Sequence, residues 1–367
     1  MSDDSFRPDW FSKPGDTLAA IMSSRELTAN VLAEKLSCDV STVRGLLAGS
    51  LLISEDLAFR LADVVGGTTC FWHKRQSAYE EALARAAVAV PRDKGQAWLK
   101  KIPFKDIALY GWTDKPTRGL DGVKSCLAYF GVTGPDEWEE RYTNFAGDVA
   151  FRTSPSFESK IGPLSAWLRQ GEIQAALVQC APWNPDLLRS AILDLRRLTK
   201  AKSLTYVVPR LRNVCAAAGV AVVCVRTPAG CRASGAARFV AAEKAIVILS
   251  FRHLSDDHVW FTLFHEMGHL ILHGRSSTFV DADETSPSER ETEANAFAAS
   301  AIIPLDRYEE FMSLRPRTEN VVRFAVSIGV SPGLIVGQMQ HLGMIGRNQL
   351  NFLKRRFVWD EISAAFD

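Results

Sequence analysis

The sequence predicts a multidomain, mainly α chain: an N-terminal all-α helix-turn-helix module, a helical connector, and a C-terminal α+β domain in which a small sheet precedes a helix carrying HExxH. Three observations lead there. The 367 residues exceed one ordinary domain. Apolar residues recur at helical spacing over most of the length. The valine-rich run 220–225, followed by two strand-like segments, marks a buried sheet. The expected divisions are a tail at 1–14, the helical module at 15–90, the connector at 91–205, the catalytic-type core at 206–310 and a helical segment at 311–367.

Composition narrows the class. With 47% apolar and 23% charged residues the chain is neither disordered throughout nor a small disulfide scaffold. Lys and Arg number 43 against 42 Asp and Glu, so the net charge of +1 gives no global attraction to nucleic acid or anionic lipid. No apolar run reaches the roughly 18 residues of a membrane helix, and the polar N-terminus lacks a signal-peptide core. A cytoplasmic chain with no membrane partner is expected. Seven scattered cysteines without a CxxC pair read as reduced core filler.

The first module is a string of short amphipathic helices: Leu18 and Ile21, then Val31, Leu32 and Leu36, then Val43, Leu46 and Leu47, then Leu57, Leu61 and Val64. Asp16, Thr28 and Ser54 stand where N-caps are wanted, and Gly49 and Gly66 where helices should stop. Residues 28–49 therefore have the layout of a helix-turn-helix with 40–48 as the recognition helix. The stretch from TLAAIMSSRELTANVLAEKL to LADVVGGTTCFW resembles the Xre-type helix-turn-helix of HigA-like antitoxins and phage repressors. That resemblance implies DNA contact, with Ser41, Thr42 and Arg44 as the candidate readers. Against it, residues 16–69 hold four basic and seven acidic side chains, a net of −3, opposite to a phosphate footprint. The alternative is a docking or dimerisation module, the latter giving a homodimer.

Residues 91–200 carry helical patterning rich in Trp and Phe, broken at 134–135, 153–155 and 182–185. No chemistry is apparent in them, and a connector or platform is expected. After Pro209 the pattern predicts a helix over 210–218, a strand over 220–225, and two further strands over 238–241 and 244–250.

The next helix reads WFTLFHEMGHLILHG. His265 and His269, one turn apart on one face, can both present nitrogens to a single tetrahedral cation, and Glu266 lies next to the first ligand, where it can act as general base. Leu263, Phe264, Met267, Leu270 and Ile271 make this a buried helix, in which unsatisfied polar side chains would be costly. A third ligand is required. After an acidic loop containing Asp281, Asp283, Glu284 and Glu289, a second amphipathic helix carries Glu291 and Asn295 on one face, with the small Ala294 permitting close approach. Glu291 is the candidate third ligand and Glu293 the fallback; Asn295 is a candidate to hydrogen-bond a ligand or simply to pack. Two imidazoles and a carboxylate accept Zn²⁺ or Mn²⁺.

HEMGHLILHG together with ETEANAFAASAIIP resembles the ImmA/IrrE family of gluzincin metallopeptidases, over about 209–304 with a weaker echo to 359. The resemblance implies a gluzincin-like domain with His265, His269 and Glu291 as zinc ligands and Glu266 as catalytic base. It also implies a site-specific endopeptidase that cleaves a partner helix-turn-helix repressor to switch on stress-response or mobile-element genes. The rival is a non-enzymatic, HigA-like DNA-binding regulator or antitoxin with a structural or sensory zinc site.

His273, one turn beyond His269, is a candidate to orient substrate or hydrogen-bond a ligand carboxylate, against a surface or capping role. Arg232, Ser234 and Arg238 could bind peptide but read as solvated strand residues; His253 and His258 read as structural. Tyr308 and His341 are candidate oxyanion stabilisers. Helices are expected over 321–329 and 333–342, and Lys354, Arg355 and Arg356 as a solvated basic face.

Overall fold

The computed structural model describes residues 11–25, 27–113, 119–150, 161–274 and 289–366. The chain divides into two compact units, Met1–Thr143 and Asn144–Asp367. That division falls inside 91–205, the span read as one connector. Parts of the expected tail, the break at 153–155, and the acidic-loop residues Asp281, Asp283 and Glu284 lie outside the described residues.

The N-terminal unit is helical: α1 (Pro14–Ser24), α2 (Ala29–Lys35), α3 (Val40–Ala48), α4 (Glu55–Val65), α5 (Thr69–Ala89), α6 (Arg92–Lys101), α7 (Phe104–Leu109), α8 (Leu120–Phe130) and the start of α9 (Pro135–Ala150). Side-chain oxygens accept the orphan N–H groups at the helix starts, Thr28 from Val31 at 3.1 Å and Ser54 from Leu57 at 3.3 Å. Asp16 is not the cap expected: α1 begins earlier, at Pro14, and Asp16 in its first turn accepts the Lys13 N–H at 3.0 Å. Proline at the first helical position explains the earlier start, since its missing N–H would have gone unpaired there anyway. Gly49 ends α3 at φ 77°, a conformation open to glycine without a Cβ penalty. Leu18, Leu32, Leu36, Val43, Leu57, Leu61 and Trp72 form the core of this module.

The C-terminal unit opens with α10 (Ile161–Ala176), α11 (Pro185–Leu198) and α12 (Leu204–Ala217), followed by β1 (Val220–Cys224), β2 (Gly235–Ala241) and β3 (Lys244–Leu249). The sheet order is β1-β3-β2, with β1 parallel and β2 antiparallel to β3. β2 is therefore an outer strand. Residues 220–223 and 245–249 are buried, as a strand covered on both faces requires. One cover is α10, whose Trp167 indole donates to the Val225 carbonyl at 2.8 Å. At Gly171 the α10 backbone runs so close that a Cβ there would meet Ile248 Cγ1 at 2.7 Å.

α12 starts six residues before the expected helix, with Pro209 inside it. A proline breaks a helix by its lost N–H and its clash one turn back, but Val207, Val208, Leu211 and Cys215 keep one face of α12 in the core, and that burial carries the helix through it.

The remainder is α13 (Asp256–His273), α14 (Glu289–Ile302), α15 (Tyr308–Met312), α16 (Thr318–Ile328), α17 (Pro332–His341) and α18 (Trp359–Phe366). Leu263, Phe264, Met267, Ala298, Ile302, Phe324, Ile335 and Met339 join one core with the sheet. Among the described residues no single helix is long and apolar enough to cross a membrane.

Of the run 354–356, expected to be a solvated face, only Arg356 is exposed. Lys354 turns its side chain inward, with Nζ 2.6 Å from Asp257 Oδ2 and 2.7 Å from Gln340 Oε1. Arg355 donates to the carbonyls of Lys200 and Ala201. The buried Asp257 at the start of α13 needs a donor, which Lys354 supplies, and Arg355 ties the segment leading into α18 to the carbonyls between α11 and α12. Nor are all cysteines core: Cys126, Cys215 and Cys231 are buried, whereas Cys70 is exposed.

Candidate metal centre

α13 and α14 lie side by side, and the small residues between them set how close they come. Ala294 is fully buried, and a Cβ on Gly268 would meet the Phe297 ring at 3.1 Å. On α13 His265 Nε2 is 3.0 Å from His269 Nε2, and across the seam Glu291 places Oε2 3.3 Å from His265 Nε2 and Oε1 3.2 Å from His269 Nε2. Each residue offers one ligand atom, and all three atoms lie within 4.8 Å of one another.

The donor set fits a divalent cation. Asn295 Oδ1 lies 3.0 Å from His265 Nδ1, so Nδ1 donates and Nε2 keeps the lone pair that faces the other two ligands. Two imidazole nitrogens and a carboxylate pointed at one spot repel unless positive charge sits between them. Both histidines are buried, 7% and 8% exposed, which strengthens that demand. With two histidines and one carboxylate, a tetrahedral ion keeps a position for water or substrate.

Glu266 follows the first ligand and is 1% exposed. Its surroundings include a feature that sequence reasoning missed: Gly235, the first residue of β2. A Cβ there would stand 2.5 Å from Thr262 Cγ2 and 2.9 Å from Glu266 Oε1. The outer strand thus passes directly over the carboxylate. The sequence offered only a glycine three residues before the strand expected at 238–241; β2 starts earlier, at Gly235, and glycine at a strand end often marks close backbone approach.

The structure sorts the remaining candidates. Glu293 points away from the ligand cluster, half exposed, with Oε2 3.6 Å from His273 Nδ1. His273 Nε2 is 3.3 Å from the Arg290 carbonyl, which ties the end of α13 to the start of α14. Arg238 lies with Glu172 at 2.8 Å, in an ion pair with α10 rather than on a solvated strand face. Tyr308 is exposed at the start of α15 with its ring against Phe311. His341 lies at the end of α17, against Phe261. In the N-terminal unit Ser41 is exposed, and Thr42 and Arg44 are half-buried on α3.

An outer strand is laid over a buried glutamate, beside a His-His-Glu cluster that could hold a metal ion. Residues 220–336 match the model of the Peptidase_M78 family, described as the IrrE N-terminal-like domain, which supports the ImmA/IrrE family and points to a peptidase. No curated protein and no solved structure matches the chain.

Proposed function

We propose that this protein is a zinc-dependent, site-specific endopeptidase whose substrate is a helix-turn-helix repressor, cleaved in response to stress or a mobile-element signal. The observation that carries the reading is the meeting of His265, His269 and Glu291 beside the buried Glu266. His265, His269 and Glu291 would hold a Zn²⁺ or Mn²⁺, which would supply the Lewis acidity for activating a water molecule and polarising a carbonyl. Glu266 takes the proton of the attacking water and passes it to the leaving amine. Asn295 and Glu291, both from α14, fix the imidazoles of α13 in place. β2, paired on one side with β3, offers an extended peptide its other edge and brings the bound backbone past Glu266 at Gly235.

The N-terminal module recruits the substrate by pairing with its like domain. Its acidic balance of −3 over residues 16–69 favours a protein partner over phosphates. The rival, a DNA-bound regulator, rests on Ser41, Thr42 and Arg44. Its test is mobility shift of duplex DNA by the Glu266→Gln chain, which would support the regulator if Arg44→Ala abolished it.

The peptidase reading is tested by producing the wild-type chain and Glu266→Gln in a cell that holds candidate repressors and mapping new protein N-termini by mass spectrometry. A single new terminus within a helix-turn-helix protein, formed by the wild type alone, is the expected result. The same fragments from both chains would sink the reading.

A further inference from the structure

The C-terminal unit also holds a cavity of about 590 Å³ beside the first turn of α13, and none of its lining residues belongs to the His-His-Glu cluster. Its wall is basic. Arg347, Lys354 and Arg356 line it with His253, His258 and His341, and Asp257 is the one carboxylate among the lining residues. The charge of Asp257 is already engaged, since Lys354 Nζ lies 2.6 Å from it and Ser255 donates to it as well. Burial pushes the Asp257 carboxyl up, but those two hydrogen bonds together with the charges of His258 and Lys354 hold it below the ordinary carboxylate value. The charges of Arg347 and Arg356 therefore face the cavity with no second carboxylate in its wall to balance them.

Arg347 and Arg356 are exposed, and the backbone that carries them is tied down. The Arg347 carbonyl accepts from Gln340 Nε2 at 3.2 Å and Asn351 Nδ2 at 2.9 Å, which fixes the backbone at Arg347. Arg356 donates to the His253 carbonyl at 3.4 Å, and its backbone bridges to Ser255. The rings of His253 and His258 stack with centroids 4.1 Å apart. Facing this pair are Arg252, Asp257, Lys354 and Arg356, with His341 and Arg347 also lining the cavity. Partial burial holds both imidazoles below their usual pKa; the charges of His258 and Arg252 add to it at His253, held at about 4, and those of Lys354, Arg356 and Arg252 add to it at His258.

We propose that this cavity binds a small phosphate-bearing ligand of the di- or triphosphate class. Guanidinium forks match phosphate oxygens in pairs, imidazoles add donors once protonated, and the volume suits a small molecule rather than a lone ion. An anion placed here reverses the field on His253 and His258 and draws protons onto them. The Phe261 ring contacts both His341, at 6.4 Å, and His265, at 6.2 Å, so an occupied cavity sits next to the helix that carries the metal cluster. The inference does not depend on the peptidase reading.

The test is calorimetric titration of the full chain with inorganic pyrophosphate and, separately, with ADP. Expected are saturable binding that tightens as pH falls from 8 to 6, net proton uptake, and affinity at least about tenfold weaker in Arg347→Ala/Arg356→Ala. Arg347→Glu, checked for native circular dichroism, should abolish binding if the double variant fails to fold. His269→Ala, which dismantles the metal cluster, should bind as the wild type does. Absence of binding, undiminished affinity in the arginine variants, loss of binding in His269→Ala, or a response to duplex DNA alone would each overturn the proposal.

Discussion

Asn295 Oδ1 lies 3.0 Å from His265 Nδ1, so a side chain of α14 sets the tautomer of the first imidazole on α13. Removing that oxygen frees the ring to turn. Asn295→Ala is expected to weaken metal binding about 10- to 100-fold, with Asn295→Asp restoring most of it. Competition against a chromophoric chelator measures both.

Glu266 is buried beside the cluster without being one of its ligand atoms. Glu266→Gln should therefore keep its metal and its melting temperature while peptide hydrolysis falls by about 10²- to 10⁴-fold. Loss of metal together with activity would instead make Glu266 a structural part of the site.

Gly235 leaves no room for a side chain between β2 and α13, since its Cβ would stand 2.5 Å from Thr262 and 2.9 Å from Glu266. Gly235→Val should cost about 1–3 kcal/mol in urea unfolding by overpacking, and lower activity beyond that by displacing the carboxylate. A variant as stable and active as the wild type would show that β2 does not press on Glu266.

Acid should destabilise the C-terminal unit before the carboxylates titrate. The folded pKa of His253 is held at about 4, below its ordinary 6.5, by partial burial and then by His258 and Arg252. The unfolded chain then binds more protons between those two values, so stability falls as pH drops from 6.5 toward 4. Melting temperature against pH should show this slope, and His253→Gln should flatten it.

What the sequence revealed and what it hid have separate physical causes. His265 and His269 were legible because four-residue spacing puts two side chains on one helix face whatever the rest of the fold does. Glu291 could be told from Glu293 because Asn295 and Ala294 fix which face of α14 meets α13. The strands at 220–224 and 244–249 were legible because a strand buried on both faces reads as unbroken Val and Ile. Lys354 was not legible: the Asp257 that takes it inside is 97 residues away in sequence, and only the fold joins them. The stacked His253 and His258 escaped for the same reason, since the basic wall facing them comes from α17 and the segment after it. Pro209 misled because local propensity gave way to core burial of α12.

The central claim is that His265, His269 and Glu291 hold a catalytic-type metal ion, and metal content by elemental mass spectrometry tests it most directly. About one zinc per chain in the purified wild type, lost in His269→Ala with the fold intact by circular dichroism, is the predicted result. A wild-type chain that takes up no metal even when zinc is supplied would contradict it.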